Sequence, residues 1–173
     1  PKGVDYPYDK RTLWIYKRDT GKRPQDDVAA WSRWRTLQVT QLVREIRSMQ
    51  RQARPAMLLT AACGAGVEEY KRHYFQDGPS WLREGLVDAV FTMNYATRTS
   101  TFRSRQDAWR RATGSGMVVP GLGEYLHNSD QMTVEQLKSA QQYGRGFAIF
   151  SYQSLFEQNK ASRINALRPL IER

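Results

Sequence analysis

Four short apolar runs, each bounded by turn residues, constrain this chain more than any other feature: MLLTAA (57–62), VDAVFTMNY (87–95), MVVPGLGEY (117–125) and GFAIFSY (146–152). They recur about 25 to 30 residues apart, too far for hairpins. Their apolar residues run on instead of alternating, as in strands buried on both faces of a parallel sheet. Helical patterns fill the gaps, and strict alternation of strand and helix implies parallel strands joined by right-handed crossovers. The class is therefore α/β, and both an open doubly wound sheet and a (β/α)8 barrel fit the pattern.

The helical segments differ in strength. In TLQVTQLVREIRSMQRQA, residues Val39, Leu42, Val43, Ile46, Met49 and Ala53 form one apolar face, predicted to pack on the core, and Pro55 follows. MTVEQLKSAQQYGRG pairs Thr133 as N-cap with Gln136 in a capping box and stops at Gly144 and Gly146. In NKASRINALRPLIER, residues Ile164, Leu167 and Ile171 share a face, and Pro169 is expected to kink the helix or end it early. FRSRQDAWRRATGSG reads as a weaker helix or a long loop around Trp109.

At 173 residues and 40% hydrophobic content the chain has the length and apolar material of one domain, 1–173. It starts at Pro1 rather than Met, so it reads as part of a longer protein. No apolar run is long enough to span a membrane. The single Cys63 excludes an internal disulfide and a multi-cysteine metal site, and is expected to be a small buried residue. A formal charge of +10 admits a polyanion partner, but the arginines are scattered rather than striped, and no nucleic-acid signature accompanies them. No nucleic acid is expected. ACGAGVEEY, the one glycine-rich turn after a strand, has neither dinucleotide nor P-loop spacing, and no cofactor is expected. His73 and His127 read as surface or loop residues, far from any acid triplet, and no metal site is expected.

Chemistry in a parallel α/β fold sits at the C-terminal strand ends. Asp88 begins its run and so belongs to the opposite, stabilising edge. Asn94 and Tyr95 end the second run, Glu124 and Tyr125 the third, Ser151 and Tyr152 the fourth, and Cys63 and Gly64 follow the first. Amide, phenol and hydroxyl groups around one mouth suit a polyol or sugar. Trp81 is a further candidate for stacking on it, although an anchoring role for Trp31, Trp34 and Trp81 is also open.

WSRWRTLQVTQLVREI, FQDGPSWLREGLVDAVFTMNY, VVPGLGEY and GFAIFSYQSLF, taken in order, resemble the bacterial glycosyl-hydrolase-like family of (β/α)8-barrel proteins. Trp31, Trp34 and Arg35 fit its W-x-x-W-R helix start. Gln76, Asp77, Trp81, Gly85 and Asp88 fit the next segment, and Met93 and Tyr95 the strand that follows. The chain departs from the pattern at Gly78 and Thr92. The resemblance implies a partial barrel holding strands five to eight, with Pro1 closing strand four and a catalytic acid of that strand lying upstream. It also implies an extracytoplasmic protein, secreted, periplasmic or a lipoprotein, that hydrolyses a cell-envelope or extracellular polysaccharide. Glycoside hydrolysis uses two carboxyl groups. Glu124 and Asp77 are the candidates here, with Asn94, Tyr95, Trp81, Tyr125 and Tyr152 as substrate-binding residues. A non-catalytic carbohydrate-binding module and a basic polyanion binder are the alternatives. Half a barrel cannot close around an interior, so open edges and self-association are expected.

Overall fold

The structure, a computed structural model, describes residues 7–143, 146–157 and 161–172. The chain runs α1 (Lys10–Thr20), α2 (Val28–Ala53), β1 (Thr60–Gly64), α3 (Val67–Tyr74), α4 (Gly78–Arg83), β2 (Ala89–Asn94), α5 (Thr99–Thr113), β3 (Val118–Gly123), α6 (Asp130–Tyr143), β4 (Ala148–Phe150) and α7 (Ala161–Ile171). A tight 3₁₀ turn at Glu124–Leu126 follows β3, and a wider π-helical turn at Gln153–Glu157 follows β4. The strands pair in chain order β1-β2-β3-β4, and each pair is parallel. This is the expected α/β class and the arrangement of a partial β/α barrel.

Burial follows the two-residue period of a strand. Val90, Thr92 and Asn94 of β2 are buried, whereas Phe91 is exposed and Met93 half-buried. The buried set faces the helices, where two clusters form the core. One joins Cys63, Trp81, Leu86, Val87, Val90 and Trp109. The other joins Phe102, Leu122, Leu137, Ala140, Leu155 and Leu167 with Ala96. A side chain of this kind contributes about 1.5–3 kcal/mol when fully buried. The tryptophans also satisfy their polar atoms: Trp81 Nε1 donates to Thr40 Oγ1 at 3.0 Å and Trp109 Nε1 to the Ala65 carbonyl at 3.0 Å.

The W-x-x-W-R start of α2 is a packing joint. Trp31 stacks on Trp34 with ring centroids 5.3 Å apart, and Tyr16 of α1 meets Trp31 edge-on at 4.8 Å. The Arg35 guanidinium lies 4.8 Å from the Trp31 ring centroid and 4.4 Å from that of Phe75. Together these contacts tie α1, α2 and the turn before α4 by ring stacking and cation–π attraction.

Several expectations change. Only Val39 and Val43 of the α2 face pack against a core cluster; Leu42, Ile46 and Met49 are exposed, because among the described residues nothing covers α2 beyond the open edge of β1. β1 starts at Thr60, so Met57 and Leu58 lie outside the pairing and exposed, while Cys63 and Gly64 end the strand instead of following it. The segment around Trp109 is helix α5 throughout. Thr133 lies inside α6, buried, and Ser129 is the residue that accepts the Met132 N–H, at 3.2 Å. Gly144 lies outside the described residues; α6 ends at Tyr143. Helix α7 passes through Pro169 to Ile171, so the proline falls where few backbone bonds remain to be lost. Ile171 itself is exposed, while Leu167 is buried.

Candidate functional site

The C-terminal strand ends share one edge, as the register Asn94↔Leu122 and Gly123↔Phe150 requires. At that edge Tyr95 stacks on Phe150, centroids 5.4 Å apart, and Tyr125 meets both edge-on at 6.1 and 5.9 Å. Tyr125 and Phe150 are exposed. Gly123 permits this platform, since a Cβ there would come within 2.6 Å of Tyr95 Cβ. Burial, with Tyr125 adding to it, raises the Tyr95 phenol above its ordinary pKa.

Beside the platform a cavity of about 250 Å³ opens between the ends of β1 and β2, lined by Ala65, Glu69, Tyr70, Met93, Tyr95 and Arg105. Gly64 again makes room, because a Cβ at that position would enter the Tyr70 ring. Glu69, in the first turn of α3, is exposed, and neither it nor Arg105 of α5 makes a hydrogen bond or ion pair among the described residues. A larger cavity of about 310 Å³ lies elsewhere, lined by the start of β3 and by α5 and α6, at the edge that stabilises rather than reacts in such folds.

The residues predicted from sequence divide. Tyr95 and Tyr125 are together on the platform. Asn94 is at the same edge but on the other face, where strand alternation turns it inward; its Nδ2 donates to the Phe102 carbonyl at 2.9 Å. Tyr152 is 69% exposed and lies against Phe156 instead. Trp81 is 3% exposed with its indole N–H already committed to Thr40, so it anchors α4 and cannot stack on a ligand in this conformation.

The two predicted carboxylates are engaged elsewhere. Asp77 caps α4 by accepting from Ser80 N at 3.4 Å and pairs with Lys71 Nζ at 2.8 Å. Its neighbour Gln76 accepts the Gly64 N–H at 3.1 Å, pinning the end of β1. Glu124 is 0% exposed: Arg163 Nη1 reaches its Oε2 at 2.8 Å, and Ser154 Oγ donates to its Oε1. Arg163 also binds Asp130 at 2.9 Å and the carbonyls of Glu124 and His127. Glu124 therefore fastens the turn after β3 to α7. His127, expected at the surface, is buried with Nδ1 2.9 Å from Thr133 Oγ1; burial and then the Arg163 charge lower its pKa. Asp88 is on the opposite edge as read from sequence, paired with Arg47 at 2.7 Å and accepting Leu59 N–H at 2.7 Å.

Glu69 lines the cavity beside the platform but was not predicted from sequence; the signal available was its position, in the first helical turn after β1 at the C-terminal edge. Among the described residues no group of three or more His, Cys, Asp or Glu is placed to hold a metal ion, and no helix is long and apolar enough to cross a membrane.

Parallel strands joined by crossover helices, with an aromatic rim at the C-terminal edge, define an α/β protein with the arrangement of part of a β/α barrel. The sequence matches the glycosyl hydrolase-like 10 family over residues 4–135, and the chain belongs to that family. No match is found among curated proteins.

Proposed function

We propose that this chain is part of a glycoside hydrolase acting on a bacterial cell-envelope or extracellular polysaccharide outside the cytoplasm, at the rim formed by Tyr95, Tyr125 and Phe150. The observation that carries this reading is the grouping of three rings beside a cavity that holds an unengaged carboxylate, Glu69. Sugar rings stack by their C–H faces on such aromatics, and the Tyr95 hydroxyl offers a donor to a sugar oxygen. Glu69 is the acid/base group in this proposal. Its required second carboxyl comes from another part of a longer barrel, since Glu124 and Asp77 are bonded to Arg163 and Lys71. Glu124 serves as a positioning residue, holding the turn that carries Tyr125.

Those same two bonded carboxylates favour a second reading, a carbohydrate-binding module without turnover. Oligosaccharide hydrolysis and binding, measured on a longer chain that supplies the second carboxyl and on its Glu69→Gln and Tyr95→Ala forms, separate the two. Hydrolysis lost in Glu69→Gln with binding retained supports the enzyme. Binding weakened in Tyr95→Ala, with no hydrolysis by any form, supports the module. Binding untouched by Tyr95→Ala sinks both.

A further inference from the structure

Arg105 lines the rim cavity together with Glu69 and makes no hydrogen bond or ion pair with any described residue. The other arginines drawn into the interior have partners: Arg47 has Asp88, Arg163 has Glu124 and Asp130, and Arg35 lies over Trp31 and Phe75. Arg105 is half-buried on α5, faces the same cavity as Met93, Tyr70 and Tyr95, and makes no ring contact with any described residue either. A guanidinium partly removed from water keeps five donors, arranged to grip a planar anion with two parallel bonds.

We infer that the sugar bound at this rim is acidic, and that Arg105 reads its carboxylate. This rests on the carbohydrate reading above and narrows it to a substrate class. A neutral sugar satisfies Glu69, an acceptor that hydroxyl groups can donate to, but offers Arg105 only weak acceptors. A uronic-acid type of sugar satisfies both, hydroxyls toward Glu69 and carboxylate toward Arg105. The apolar walls formed by Met93 and the tyrosine rings strengthen the charge pairing by keeping water away. The formal charge of +10 acts in the same direction, drawing an anionic polymer toward the molecule.

The test uses two probes that differ only at the C6 carboxylate, cellobiouronic acid and cellobiose, titrated by NMR or calorimetry at low and at moderate salt. The acid is expected to bind about tenfold more tightly than the neutral disaccharide, as one charge-assisted bidentate contact requires, with the ratio shrinking as salt rises. In Arg105→Met and Arg105→Gln, each checked for native circular dichroism, the ratio is expected to fall to about one. Glu69→Gln is expected to raise it, since a negative charge leaves the acid's surroundings. Equal binding of both probes by the unaltered protein, or a preference that survives in Arg105→Met, overturns the acidic-sugar inference alone. Failure of both probes to bind, with Tyr95 signals unmoved, overturns the inference together with the carbohydrate reading.

Discussion

A carboxylate removed from water stays ionised at tolerable cost only if its charge is met, and Glu124 has Arg163 at 2.8 Å for that purpose. Removing the arginine leaves the acid buried and unmatched. Arg163→Met is therefore expected to cost about 3–5 kcal/mol in urea unfolding, and pairing it with Glu124→Leu to recover most of that loss. A double variant no more stable than the single one refutes the account. Cys63 presents the opposite case, a buried group with no charge beside it. Burial pushes its thiol up to about 12, so the thiolate is scarce at any ordinary pH. Cys63 is expected to resist iodoacetamide at pH 8 and to react promptly once the protein is unfolded in urea. Rapid labelling of the folded chain excludes the packing described around it.

Between elements, one polar tie is at the N-terminal edge, where Arg47 of α2 holds Asp88 by two bonds of 2.7 and 2.8 Å and Asp88 in turn takes the Leu59 N–H. Arg47 is the main reason the Asp88 pKa falls below the usual carboxylate range. A depressed acid stabilises the fold above its unfolded pKa and loses that contribution as pH falls toward its folded one. Asp88→Asn is expected to cost about 1–3 kcal/mol near pH 7, with the gap to the unaltered protein closing between about pH 5 and pH 2. A gap independent of pH refutes the ion pair as its source. Elements of this kind were readable where a single physical rule governs them. The strands announced themselves because burial on both faces makes them continuously apolar. Helix α1 did not, since its one buried residue is Tyr16 and its surface is basic. Helices α3 and α4 are too short for a periodic signal. The shared C-terminal edge was legible too, but not which face each side chain takes: Asn94 and Tyr95 are neighbours in sequence, so alternation admits only one of them to the platform. Glu124 was read by its place at a strand end, and its partner Arg163 lies on a helix that sequence spacing could not bring to it.

At the scale of the molecule, the four-stranded sheet has β1 and β4 as edges with no further strand paired to them among the described residues, and a face away from the helices on which Phe91 and Phe150 are exposed. Further apolar side chains are exposed on α2, at Leu42, Ile46 and Met49, and just before β1, at Met57 and Leu58, the last 73% exposed. An edge strand with no further strand paired to it is a template for another chain, and exposed apolar side chains add to that tendency. The +10 charge opposes association at long range, but salt at physiological strength screens repulsion beyond about 8 Å and leaves the contact itself unaffected. The 173-residue chain is therefore expected to self-associate as its concentration rises, more so as salt is added. Light scattering across a concentration series measures this directly. Met49→Lys and Leu58→Lys put charge on two of these exposed positions without touching either core cluster, and are expected to lower the association while leaving the unfolding midpoint within about 0.5 kcal/mol. A chain that stays monomeric at every concentration and unfolds in one cooperative step, with the lysine variants no different, means that these edges are stable as they stand.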